Sequence, residues 1–161
     1  KASAMGDYLP AKLGMEEGES VLYMAVTYDY SEKLAVFYAE GKGIKTDLSS
    51  FDTKTNRKKL TGAYSDKLTP VAIFSFAYEA DFLLKSSNGR ALIVNSALMP
   101  FKSGRSGQGT IVMNLNKKCA LQRAVPYEKG SLANEHHYRA KTLPAAGKYL
   151  KEEDAGQLQL L

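Results

Sequence analysis

With 161 residues and 44% hydrophobic side chains, the chain is long enough for one packed domain and too apolar for wholesale disorder. It has no apolar run of roughly 18 residues, which excludes a helical membrane span, and residues 1–10 lack the apolar core of a secretory signal. The net charge of +5 is uneven: residues 34–125 hold 14 Lys+Arg against 6 Asp+Glu, while the rest hold 8 against 11, so an anionic partner is expected on the central part.

In chain order, residues 1–19 end in an acidic turn, Glu16-Glu-Gly-Glu19. Ser20 to Thr27 is rich in β-formers and predicts a strand, as does Leu34 to Tyr38. Glu40-Gly41-Lys42 is a turn signal, and Gly43 to Leu48 completes a hairpin. A polar, basic loop follows, Asp52 to Lys59, and then a strand, Val71 to Phe76. Asp81 to Lys85 and Ala91 to Val94 form a second hairpin around Asn88-Gly89, a pair that favours a type I′ turn with positive φ at both central residues. The loop Lys102 to Gly109 is basic and glycine-rich, and Thr110 to Met113 and Ala120 to Val125 read as strands. Beyond Pro126, Ser131 to Lys141 is a short helix or a loop. Tyr149 to Asp154 is an exposed acidic turn, and Gln157 to Leu161 is a possible last strand.

These elements recur with a period of about 48 residues, a length typical of one supersecondary unit used repeatedly. Tyr30 meets Tyr78, Gly41 meets Gly89, Lys54 meets Lys102, Arg57 meets Arg105 and Ala72 meets Ala120, with no gap needed from about Ser20 to Val125. Several short strands per repeat, with no i, i+3, i+4, i+7 apolar pattern, predict an all-β propeller-like array of four-stranded antiparallel blades. The chain holds about two full blades plus flanking strands: repeat one spans about 20–67, repeat two about 68–125 and a partial flank 126–161. A complete propeller needs about four blades, so this is part of an array.

The segment Phe82 to Val94, then Leu98-Met-Pro100, then Gly104-Arg-Ser-Gly-Gln-Gly109 resembles a blade of the C-terminal domain of the A subunit of bacterial type IIA topoisomerases, DNA gyrase and topoisomerase IV. Leu34 to Lys59 resembles the same blade more loosely, and Glu16 to Glu19 resembles the family's acidic-Gly turn. The resemblance covers roughly residues 15–125. It implies a β-pinwheel whose basic rim binds and bends duplex DNA and presents it to a cleavage core elsewhere in the A subunit, which works with an ATPase B subunit. Neither basic loop reproduces the Gln-Arg-Arg-Gly-Gly-Lys-Gly box of the gyrase members. That points to a topoisomerase IV-like or an unclassified A subunit. Arg does not directly precede Tyr64, so the family's DNA-cleaving tyrosine motif is absent there, and the chain alone is not expected to be an enzyme.

The candidate DNA contacts are Lys54, Arg57, Lys58 and Lys59 in one loop, Lys102 and Arg105 in the next, and Lys42 and Arg90 in the matched hairpins. Closely spaced phosphates call for many cations in a row rather than one pocket, and Gly104, Gly107 and Gly109 let backbone N–H groups approach them. Binding is expected to be largely independent of base sequence, and two repeats alone should bind weakly. No cofactor, metal site or catalytic residue is expected: His136 and His137 are adjacent and diverge, and the tyrosines Tyr23, Tyr28 and Tyr30 read as packing residues. The cysteine Cys119 excludes an internal disulfide, fits a reducing, cytoplasmic setting, and reads as a small core hydrophobe. The alternative is a protein-interaction scaffold, which would need an exposed apolar patch in place of a cationic edge. A small β-rich enzyme would instead need a pocket of convergent titratable groups.

Overall fold

A computed structural model describes residues 5–53, 55 and 60–156. After a short helix α1 (Leu9–Leu13), two hairpins fall one period apart. The first is β1 (Lys33–Tyr38) with β2 (Lys42–Asp47). After β3 (Pro70–Phe76) comes the second, β4 (Asp81–Ser86) with β5 (Arg90–Asn95). Each hairpin continues into a 3-10 turn, Leu48–Phe51 or Ser96–Leu98. Two short strands and one longer one follow: β6 (Thr110–Ile111), β7 (Leu121–Pro126) and, after the helical turn α2 (Glu135–Tyr138), β8 (Lys148–Tyr149). A last turn, α3, spans Glu152–Ala155. The strands form two four-stranded sheets, ordered β3-β1-β2-β6 and β7-β4-β5-β8, with every pairing antiparallel.

Both hairpins turn through a glycine. Gly41 and Gly89 have φ of 75° and 81°, and their N–H groups donate to Tyr38 and Ser86 carbonyls at 3.0 Å. Asn88 is not at positive φ, so the expected type I′ turn is replaced by an ordinary turn followed by one left-handed residue. The longer return lets the side chain of Ser86 donate to Asn88 and accept from the Arg90 N–H.

The third strands keep a different spacing. Ile73 pairs with Val36, and Ala124 pairs with Leu84, an offset of 51 rather than 48. The gap-free alignment therefore fails after the second hairpin, and Ala72 and Ala120 are not equivalent. A register shift sits at the same place in both sheets, between Phe37 and Tyr38 and between Lys85 and Ser86.

The sheets stack face to face. Strand β1 is buried along nearly its whole length because both its faces are covered. Ala35 and Phe37 point at the second sheet, where they meet Phe82, Leu84, Leu92 and Val94 together with Met99, Val112 and Met113. Phe82 is the centre of an aromatic cluster: its ring lies 5.3 Å from Phe37, 5.3 Å from Phe74 and 5.7 Å from Phe76. The opposite face of the second sheet, Leu83, Ala91 and Ile93, is covered by Tyr127, Leu132 and Tyr138. Residues 127–138 thus cap the stack where a further hairpin would fall one period on.

Two polar networks hold the ends of this stack. Lys45, almost fully buried, donates to the Ser96 carbonyl at 2.6 Å and pairs with Glu79, which also binds Lys33. In the second sheet Arg139 bridges Asp81 and Glu135 at 2.8 Å each. The turn at 149–154 is exposed as expected at Tyr149, Lys151, Glu152 and Glu153, but its last residue, Asp154, is fully buried. Burial opposes its ionisation, but hydrogen bonds from Tyr138, Asn134 and the Ala133 N–H prevail and hold its carboxyl below the ordinary range.

Three further expectations change. Ser20 to Thr27 pairs with no strand among the described residues. Instead the Tyr23 hydroxyl bonds Ser75 and its ring packs edge-on against Phe74. Cys119 is only half-buried, in the turn before β7. Tyr28 is 98% exposed and packs against nothing, whereas Tyr23 and Tyr30 border the first sheet's outer cluster. The possible strand at 157–161 lies outside the described residues.

Two outcomes test this packing. Phe82→Ala should cost about 3–5 kcal/mol and melt both sheets in one transition, read by denaturant unfolding. Acid should also weaken the fold. The Ser96 hydroxyl, Lys33 and Lys45 hold the Glu79 carboxyl down to about 2 against the burial that opposes them. The Gly130 N–H and Arg139 hold Glu135 down to about 2. Both pKa values are depressed in the folded chain, so their stabilisation is complete above the ordinary carboxylate pKa of about 4.5 and is lost as pH falls from there through about 2. Glu79→Gln with Glu135→Gln should flatten the fall in unfolding free energy over that window. An unchanged slope would show that these pairs do not couple to folding.

Candidate nucleic-acid interface

Local turns bring the candidate cations to the sheet edges. The loop 101–109 leaves the second hairpin and returns to the first sheet. Phe101 bridges Lys45 in parallel, the Lys102 N–H donates to the Lys45 carbonyl at 2.8 Å, and β6 then pairs with Lys42 and Gly43. Lys42, Lys102 and Arg105 therefore gather around one edge. The Lys42 ammonium donates to the Gln108 side-chain amide at 3.0 Å. Lys102 is exposed, and its side chain makes no hydrogen bond or ion pair among the described residues.

Arg105 has a more specific geometry. Its Nε donates to the Gly62 carbonyl at 3.1 Å, its Nη1 donates to the Ser50 carbonyl, and its guanidinium lies over the Phe51 ring at 5.6 Å. These contacts fasten the 102–109 loop to the residues bracketing the other basic loop. Carbonyl oxygens and a ring face do not cancel its charge, so the arginine ties the two loops together and stays cationic. Lys54, Arg57, Lys58 and Lys59 lie outside the described residues.

The second sheet repeats this edge with residues that the sequence period misses. Arg139 bridges Ile93 in parallel, the Ala140 N–H donates to the Ile93 carbonyl at 2.8 Å, and β8 pairs with Arg90 and Ala91. These contacts match those of 101–111, but Arg139 stands in for Phe101 and β8 for β6, a spacing shorter than one period. Gly109 and Gly147 mark the equivalence, with φ of 69° and 71° just before the edge strand. A Cβ on Gly109 would overlap the Gly43 carbonyl, and one on Gly147 would come within 2.9 Å of the Ala91 carbonyl. Only glycine lets either loop approach its hairpin this closely.

Arg90 thus corresponds to Lys42. Its guanidinium lies 4.8 Å from the centre of the Tyr149 ring, and loop 139–148 adds Lys141 and Lys148 to its edge. These two lysines are absent from the sequence-based candidates; their signal is the Gly–β pair at a shifted spacing. The cations on both edges differ from the other paired ones. Lys33, Lys45 and Arg139 are neutralised by Glu79, Asp81 and Glu135. Lys42, Lys102, Arg105, Arg90, Lys141 and Lys148 have no carboxylate partner among the described residues. His136 and His137 are exposed, and no cluster of three potential metal ligands occurs among the described residues.

No protein-family model matches the chain, and no curated protein sequence matches it. Solved structures do match. A C-terminal domain of DNA topoisomerase IV matches with a TM-score of 0.75 at 17% identity, over 92% of this chain and 52% of that one. A DNA gyrase A C-terminal domain gives 0.58 at 16% identity, over 80% and 47%. The E. coli ParC C-terminal domain gives 0.62 at 15% identity, over 94% and 68%. The chain therefore spans about half the length of the first two. At these identities the likeness concerns architecture: the chain has the β-pinwheel fold of the C-terminal domains of topoisomerase IV and gyrase A.

Proposed function

We propose that this chain is a non-catalytic, duplex-binding module of a bacterial, cytoplasmic type IIA topoisomerase A subunit. It captures a DNA segment and presents it to a cleavage core in the rest of that subunit, with an ATPase B subunit as the further partner. The observation that carries this reading is the repeated edge: two equivalent sheets each present uncompensated cations beside a glycine-fastened loop. Such an edge matches a polyanion with regularly spaced charges, and no base-reading helix accompanies it among the described residues. Bending a 20–30 bp segment along such an edge costs on the order of 1–6 kcal/mol, which contacts from several sheets must offset.

A protein-contact role has one observation in its favour. Met24, Val26 and Tyr28 are 71%, 82% and 98% exposed on the unpaired segment 20–28. That segment lies on the outer side of the first sheet with Tyr23, and the cationic edge carries a different function.

Fluorescence anisotropy with duplexes of unrelated sequence should show similar affinities that fall steeply as salt rises. Lys42→Gln with Lys102→Gln should lower the log–log salt slope by about two units, and Arg57→Ala with Arg105→Ala should lower both slope and affinity. Binding that ignores salt, or depends on base sequence, would overturn the reading.

A further inference from the structure

The loop that fastens the second sheet's edge lines an open cavity of about 260 Å³. Its walls carry Arg90, His137, Arg139, Lys141 and Lys148, and no carboxylate lines it. Arg139 is committed to Asp81 and Glu135, but the side chains of Arg90, His137, Lys141 and Lys148 have no hydrogen-bond or ion-pair partner among the described residues. Arg90 is the most telling. Its Nε is shielded from solvent and hydrogen-bonded to nothing, which is costly for a guanidinium. The Tyr149 ring on one side holds the group in place without using its donors. The equivalent residue on the first sheet, Lys42, has instead committed its ammonium to Gln108.

We propose that this cavity is a built phosphate site, in which Arg90 is the planar anchor and Lys141, Lys148 and His137 close around a single phosphate group. What selects an oxyanion here is the lining, which carries Arg90, His137, Lys141 and Lys148 and no carboxylate. Arginine held against an aromatic face keeps its fork free for two oxygens, a geometry a lysine does not reproduce. The phosphate can come from a nucleic-acid backbone or from the free ion. The backbone form rests on the duplex reading above and makes this pocket the fixed point of the cationic edge, where a duplex is gripped rather than merely attracted.

The experiment uses the whole chain and two probes. The first is inorganic phosphate followed by amide and arginine Nε–H resonances. It should saturably shift Arg90 and residues 141–148, and Arg90→Lys should weaken that binding about tenfold although the charge is kept. Lys141→Gln with Lys148→Gln, both at exposed positions, tests the same pocket should Arg90 variants unfold. The second probe is a 25-base-pair duplex followed by anisotropy across a salt series. The lysine pair should lower the salt slope by about one unit more than Lys67→Gln with Lys129→Gln, which removes equal charge outside the cavity. Phosphate shifts that respond to the variants, with no change in duplex slope, assign the site to the free ion. The same shifts in a chain that binds no duplex uphold the pocket and sink the duplex reading. Duplex binding that persists while phosphate shifts no pocket resonance overturns the pocket and leaves the duplex reading standing.

Discussion

Pairing of residues 110–111 with Lys42 and Gly43 is the constraint on which the rest of the arrangement depends. The chain builds its second hairpin and then returns to complete the first sheet before it comes back to complete the second. In doing so it crosses the first hairpin's turn: the Val112 and Met113 N–H groups both donate to the Gly41 carbonyl at 2.9 Å, and the Leu121 N–H donates to the Ala39 carbonyl at 2.8 Å. The first sheet gains its last strand only after the second hairpin is built, and the chain crosses the first hairpin on its way back to β7, so the two sheets are interlocked. Buried backbone groups must be paired, and here the partners come from far along the sequence. This exchange also keeps one edge of each sheet short, since β6 and β8 are two residues each.

The interlock positions the cations. A loop that returns to a sheet edge carries its polar residues to the outside of that edge. The same crossing occurs twice, so two such loops are displayed in equivalent settings. Glycine at the entry to each edge strand is a steric demand of the crossing, and charge is then added where side chains face solvent. Carboxylates serve elsewhere: Glu79, Asp81, Glu135 and Asp154 bind groups that hold the stack together. These four acidic groups are engaged within the stack, while the edge cations have no carboxylate partner among the described residues.

The aromatic contact between the sheets and this edge chemistry are separable in physical terms. Phe37, Phe74, Phe76 and Phe82 drive the faces together through buried apolar area and ring geometry. These rings stand on β1, β3 and β4, whereas the cationic edges are those of β6 and β8. Edge cations can therefore vary without disturbing the core, and a shared architecture is compatible with sequence identities of 15–17% to the solved structures.

The two hairpins were legible from sequence because each is local: its strands are joined by a glycine turn, and the sequence period places β1 on β4 and β2 on β5 residue for residue. The all-β class followed from the same short runs. The third strands slip out of phase because the length of a connecting loop is free once its ends are anchored. Loop 139–148 escapes the period because its partner loop, 101–111, lies less than one period upstream, helix α2 and its neighbours having replaced a hairpin. A two-residue edge strand carries no periodicity of its own, and Arg90 gives no sign in sequence that its Nε is left without a partner. Local turn chemistry and alternating burial are written along the chain, so the sequence by itself determined the hairpins and the cationic character of the loops. Which loop returns to which sheet depends on pairing between residues far apart, so only the tertiary structure decided where those charges converge.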